Sequence, residues 1–180
     1  MMPIERMRPE DFDAVFRLLA QSFPAGERRD KAGQRALLAD SAYQIDILRA
    51  PSGGVQALMA SWDFDGFVFF EHFAVDPACR NGGIGGQMLD ALLARYDKPA
   101  CLEAELPETE LAARRIGFYE RHGFTVNAAY PYRQPALTPG GSPIPMYLLT
   151  TDGARTASEL RAMETLVHTR VYGKTPAAMV

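Results

Sequence analysis

The chain lacks most of what would hold a fold together other than a hydrophobic core. Its 180 residues contain two cysteines, Cys79 and Cys101, with no metal-ligand spacing between them. That excludes a disulfide framework and a cysteine zinc site, and both thiols read as reduced, buried or incidental. No apolar run approaches the roughly 18 residues of a membrane-spanning helix, and the opening MMPIERMRPEDF has no apolar signal core. The expectation is a soluble cytoplasmic protein without membrane contact. Nor is positive charge in excess. The net charge of −3 and a pI near 5.6 exclude a general basic surface, and with it nucleic acid as the main partner. The short cluster Arg28, Arg29, Lys31 and Arg35 reads as a solvated helix face. Repeats and an interdomain linker are missing too, so one core is expected, burying roughly 70% of the unfolded surface.

What is present is concentrated in Phe67 to Tyr96, FVFFEHFAVDPACRNGGIGGQMLDALLARY. The aromatic and β-branched run to Val75 suits a buried strand, and Asp76-Pro77 stops it. After Arg80-Asn81-Gly82-Gly83-Ile84-Gly85-Gly86, the apolar residues Met88, Leu89, Leu92, Leu93 and Tyr96 recur at helical spacing. A glycine-rich turn therefore feeds a helix N-terminus, where unpaired amides and about half a positive charge suit a phosphate. Arg80 adds a charge-assisted donor. The dinucleotide pattern GxGxxG fails because Met88 stands where its last glycine belongs, and no Walker lysine follows the turn.

The pattern that fits is RxxGxG, with Arg80, Gly83 and Gly85 in place. Here the chain resembles the GNAT superfamily of acyl-CoA-dependent N-acyltransferases. A second signature agrees: GFYERHGF, Gly117 to Phe124, has a tyrosine four residues before Gly-Phe. The resemblance spans about residues 4 to 150. It implies a GNAT domain over 1–150 and a C-terminal helical extension, 151–180, packed on the same domain.

Along the chain, Ile4 to Met7 reads as an edge strand, and Pro9 with Glu10 and Asp11 opens a helix with the apolar stripe Phe12, Val15, Phe16, Leu18 and Leu19. Glu27 to Ala39 reads as a second helix. Tyr43–Arg49, Val55–Phe64 and Phe67–Val75 read as an antiparallel meander, with a hairpin signal at Asp65-Gly66. Ala100–Leu106 is a strand parallel to the central one, because a helix connects them. Glu108–His122 is a helix closed by Gly123. Thr125–Tyr130 and Pro145–Thr150 form a last strand pair across the Pro- and Gly-rich loop 131–144. Ala157 to Val171 is an amphipathic helix, and Lys174 onward reads as frayed. The fold class expected is α/β (α+β): a GNAT-like mixed, mostly antiparallel sheet of about seven strands with a parallel, splayed central pair, flanked by helices and with an extra C-terminal helix.

The resemblance implies that acetyl-CoA, as co-substrate, is held by Phe73, Ala74 and Val75 at the end of the central strand and by Arg80, Asn81, Gly82, Gly83, Ile84, Gly85 and Gly86. A backbone N–H near Val75 would serve the oxyanion. An asparagine frequent in the family seven residues before the tyrosine is here Ala112. Acyl transfer to an amine requires a neutral amine, which for a lysine-like pKa of about 10.4 costs on the order of 4 to 5 kcal/mol at pH 7. Glu71, a carboxylate in an apolar strand, is the first candidate base, with a structural carboxylate paired with an arginine as its other reading; Glu103 on the neighbouring strand is the second, or binds the amine electrostatically. Tyr119 is the candidate general acid toward the departing thiolate. His72 is expected on the face opposite Glu71. Phe23 and Glu27, in the wall between the first two helices, are candidate acceptor contacts, with helix packing and a solvated charge as their structural readings. No metal is called for. The acceptor expected is a small-molecule amine, with a protein amine second, and the chain is expected to be a monomer or homodimer. The competing reading is a catalytically silent GNAT-like module that binds acyl-CoA as a sensor or regulatory subunit.

Overall fold

A computed structural model describes residues 4–174. The chain divides into two compact units, Met1–Lys98 and Pro99–Val180. In the first, strand β1 (Ile4–Arg6) pairs antiparallel with β2 (Tyr43–Arg49), β2 with β3 (Val55–Asp63), and β3 with β4 (Val68–Val75). Helix α1 (Phe12–Ser22) buries Phe12, Val15, Leu18 and Leu19 and packs on β3 and β4. Helix α3 (Ile84–Leu93) buries Met88, Leu89 and Leu92 and packs on β4. The core between them includes Ile45, Ile47, Leu58, Met59, Trp62 and Phe69, each at most 1% exposed. Buried Asp46 accepts from Arg95 at 2.8 Å, and Arg95 also donates to the Ile4 carbonyl at 2.9 Å, so the chain just after α3 is tied to the sheet edge.

Two features of the first unit depart from sequence expectation. The helix expected over Glu27–Ala39 is shorter: α2 covers Lys31–Ala36, with single 3-10 turns at Ala25–Glu27 and Leu37–Ala39. Asp30 accepts from the Gly33 amide at 2.7 Å and starts the helix there. Arg28 and Arg29 are consequently left in a non-helical link. The β3–β4 ladder also slips: Ala60 faces His72 while Ser61 faces Phe70, so Glu71 is an extra residue in a β-bulge.

In the second unit, β8 (Ile144–Thr150) pairs antiparallel with β5 (Ala100–Glu105), with β6 (Thr125–Val126) and with β7 (Arg133–Gln134). Helix α4 (Glu110–Arg121) starts on Thr109, which caps the Ala112 amide at 3.1 Å, and ends before Gly123 at φ +86°. Helix α5 (Ala157–Leu166) starts on a capping box, Thr156 with Glu159, and runs into a π turn over Val167–Val171. The strand expected over Thr125–Tyr130 stops at Val126. Buried Asn127 makes the last main-chain bond to β8, from its N–H to Leu148 O at 3.1 Å, and its side chain takes over beside it: Nδ2 donates to Leu148 O and Thr150 Oγ1 while Oδ1 accepts from Arg155 N. The expected fraying beyond Lys174 lies outside the described residues.

Within the first unit the strand order is β1-β2-β3-β4; within the second it is β5-β8-β6, with β7 on β8. Mostly antiparallel strands flanked by helices make up the mixed α/β fold that the sequence leads one to expect. Among the described residues no helix is long and apolar enough to cross a membrane, no group of side chains could hold a metal ion, and both cysteines are free.

Leu89, fully buried on α3, tests how the helix is anchored. Leu89→Ala should lower stability by about 3 kcal/mol, read as a shift of the denaturant midpoint at constant slope. A loss under about 1 kcal/mol would mean that this face does not anchor α3.

Candidate active site

At the end of β4, Asp76 accepts from the Ala78 amide at 2.9 Å and starts a 3-10 turn, Pro77–Cys79. Asn81 (φ 67°) and Gly83 (φ 73°) then take left-handed conformations that bring the chain round to Ile84. Gly83 is the N-cap of α3, and no side chain caps that terminus. Its first-turn amides and the positive end of its dipole are unneutralised by side-chain acceptors. A Cβ on Gly85 would lie 3.5 Å from Val75 Cγ2 and 3.7 Å from the Phe73 ring, which are ordinary contacts. The protein side of Gly85 therefore accepts a methyl group.

Exposed Arg80 donates from Nε to the Val75 carbonyl at 3.1 Å, which holds its guanidinium beside the loop. Asp76 donates to the Gln56 carbonyl at 2.7 Å, so Val75, opposite Ala57, belongs to a non-hydrogen-bonded pair and turns its amide away from β3. Ala74 is buried. Open amides, a helix N-terminus and a guanidinium form a donor set that fits the acidic groups of a nucleotide diphosphate.

The bulge builds a second cluster in the same unit. Glu71, with a side chain 2% exposed, accepts from Arg29 Nη1 at 2.6 Å on one oxygen and from Trp62 Nε1 at 2.8 Å on the other. His72 does not turn away as expected: its Nδ1 is 3.9 Å from Glu71 Oε1. The strict alternation that would separate neighbouring side chains fails at a bulge. His72 Nε2 is 3.1 Å from the Glu27 carbonyl, which can only accept, so Nε2 carries the proton and neutral His72 has its lone pair on Nδ1. Nδ1 has no hydrogen-bond partner. The Phe23 ring meets the His72 ring edge-on at 4.7 Å. Phe23, Glu27 and Glu71 are thus gathered around His72, Glu27 through its main chain.

In the second unit, Tyr119 is 9% exposed on the last turn of α4, edge-on to Phe118 and Phe124. Burial pushes its pKa up to about 12, partly offset by Arg115. Glu103 has a different setting. It accepts from Tyr132 and Tyr172 hydroxyls and from Gln134 Nε2, so three donors already occupy the carboxylate considered as an alternative base. Ala112 is buried at the start of α4.

Sequence reasoning missed Arg29, Trp62 and His72. A usable signal existed for the first two, since a carboxylate inside an apolar strand requires donors and the chain's single tryptophan lies on the preceding strand. The one-residue bulge that redirects His72 left no such mark.

A sequence profile of the GNAT acetyltransferase domain matches residues 42–126. No curated protein sequence matches the chain. Among solved structures, one described as an acetyltransferase of the GNAT family from Bacteroides thetaiotaomicron is similar at a TM-score of 0.85 and 34% identity, over 96% of this chain and 99% of its own. The ribosomal-protein-S18-alanine N-acetyltransferase of Escherichia coli shares the fold at a TM-score of 0.61 and 19% identity, over 87% of this chain and 96% of its own. So does a Bacillus subtilis acetyltransferase in complex with CoA, at 0.59 and 14%, over 84% and 99%. The relation to the Bacteroides protein, end to end and above what fold alone requires, together with a glycine loop and helix terminus suited to a diphosphate, establishes that this chain belongs to the GNAT family of N-acetyltransferases.

Proposed function

We propose that the chain transfers an acyl group, acetyl first, from acyl-CoA to a primary amine, a small molecule before a protein side chain or terminus. The observation that carries this reading is the glycine-rich start of α3. Helices α4 and α5 start on threonine caps; α1 and α3 have no side-chain cap, and of these four helices α3 alone has a glycine N-cap and two further glycines, Gly85 and Gly86, in its first turn. Each such glycine disfavours the helix by up to about 1 kcal/mol relative to alanine. Gly85 has room for the methyl group, so its absence serves an external ligand better than it serves the fold. The resemblance assigns that ligand as the CoA pyrophosphate, with Arg80 and the amides of residues 81–86 as its donors. Phe73, Ala74 and Val75 would line the acyl end, and the Val75 amide would stabilise the oxyanion.

For the proton on the amine, we assign the Glu71–His72 pair. Both Glu71 oxygens already accept a strong donor, one of them a permanent cation, which makes Glu71 a counter-ion before it is a base. The lone pair left without a partner is on His72 Nδ1, and an imidazolium formed there would be stabilised by the carboxylate 3.9 Å away. The neutral amine attacks the thioester carbonyl carbon, the tetrahedral species gives its remaining ammonium proton to solvent, and collapse breaks the C–S bond. In the role the resemblance gives it, Tyr119 protonates the departing thiolate, and its phenolate regains a proton from solvent. Burial keeps its phenol protonated throughout the physiological range. Glu103 is assigned a structural role, through its three donors.

Three outcomes are expected. Gly85→Ala should leave stability equal or higher by up to about 1 kcal/mol while weakening CoA binding in calorimetry; equal affinity would remove the pyrophosphate role. Tyr119→Phe should slow thiol release from acetyl-CoA on the order of 100-fold with CoA affinity retained, and an unchanged rate would dismiss it as the acid. Against a panel of small amines and peptide amines, His72→Gln should lower kcat/KM on the order of 100-fold with CoA affinity retained; an unchanged rate in this variant, with a loss in Glu71→Gln, would return the base role to Glu71 alone.

A further inference from the structure

A cavity of about 1160 Å³ lies in the second unit, between the loop that follows β6 and the face of α5. It shares no residue with the glycine loop or with the Glu71–His72 cluster, and no role has been assigned to it above. One wall of this cavity is a formed structure. The loop closes on itself through Gly141 N to Thr138 O at 3.1 Å, with Gly140 left-handed, and a Cβ on Gly141 would come within 2.9 Å of the Ala136 side chain. Apolar atoms from Pro131, Pro135, Pro139 and Leu160 supply much of the lining.

The charged part of the lining is mostly positive. In a chain of net charge −3, the cavity wall carries Arg133, Arg155, Arg161 and Lys174 against a single carboxylate among the described residues, Glu164. Glu164 is already engaged: it accepts from the Tyr130 hydroxyl, and its other oxygen is 3.8 Å from His168 Nε2. Arg155 is within 4 Å of Asp152 and Glu159. Arg133, Arg161 and Lys174 have no ion-pair partner among the described residues.

Two buried nitrogens in the same wall, Arg155 Nε and His168 Nε2, have no hydrogen-bond partner. A guanidinium N–H can only donate, and leaving it buried without an acceptor costs about 1 to 3 kcal/mol. His168 is 7% exposed and belongs to the π turn after α5, an irregularity frequent at functional sites. Unpaired cations, an orphaned donor and an apolar interior ask for the same thing: an anionic oxygen on an apolar body.

We propose that this cavity binds a small amphiphilic anion, with its acid group toward Arg155 and Arg161 and its apolar body against the proline-rich loop and Leu160. The inference stands apart from the acyl-CoA reading.

The test uses the full chain saturated with CoA, so that binding at the glycine loop cannot account for the signal. Octanoate is titrated by calorimetry, with octylammonium and octanol as probes of the same body and different charge. Octanoate should bind saturably and about tenfold more tightly than either control, as expected for one charge-assisted contact. Arg161→Gln should reduce octanoate affinity by about the same factor, and Ala157→Trp, at an exposed lining position, should block it by filling the cavity. Both variants should retain the circular dichroism spectrum and CoA affinity. Equal binding of octanoate and octylammonium, or octanoate affinity unchanged in both variants, would overturn the proposal.

Discussion

The buried carboxylate of Glu71 is the constraint on which the first unit depends. Its desolvation would cost several kcal/mol if it were unpaired, so Arg29 and Trp62 must both be held in place. Arg29 comes from the link between α1 and α2, Trp62 from β3, and Glu71 from the bulge in β4. Removing one partner of such a pair typically costs about 3 to 5 kcal/mol. The exposed pairs of Lys31 and Arg35 with Asp13 belong to a class worth about 0 to 1 kcal/mol. The hydrogen bond from His72 to the Glu27 carbonyl and the Phe23–His72 contact fasten the same link to the same strand. Glu71 thereby helps set where the link runs, and the link's Glu27 carbonyl sets which nitrogen of His72 is left open.

The loop after β4 follows the opposite logic. Two left-handed residues, an uncapped helix start and two glycines in the first turn each work against local stability. Met88, Leu89 and Leu92 hold the helix to the sheet from further along. Local cost combined with distant anchoring is the pattern expected where backbone donors are kept for a ligand. In the second unit, Glu103 acts as Glu71 does, joining Tyr132, Gln134 and Tyr172 through one carboxylate. There the donors come from segments far from Glu103 in sequence, all three beyond the end of β6.

Strands and helices with unbroken periodicity were legible from residues alone. The alternation in Tyr43–Arg49, the apolar spacing after Gly86 and the glycine after His122 each mark an element found at nearly those bounds. Elements ended by a side chain bonding to main chain were not. Asp30 shortens the second helix and Asn127 cuts the strand after Val126, and neither event alters hydrophobic spacing. Arg29 illustrates the same point for function. In sequence it is one of four nearby cations with no apolar neighbour to mark it, and only the link's path turns it inward to Glu71.

The sequence by itself determined the strand–loop–helix unit, because periodicity and glycine placement are local, and its motifs RxxGxG and GFYERHGF carried the resemblance to the family. Tertiary structure alone decided what the charged groups do. Ladder register made Glu71 a bulge and brought His72 beside it, and long-range pairing consumed the Glu103 carboxylate. A side chain's role depends on which donors reach it: Trp62 lies only 9 residues from Glu71, across a hairpin, but Arg29 is 42 residues from Glu71 and Tyr172 is 69 from Glu103, and over those two longer separations sequence pattern does not say which donor arrives.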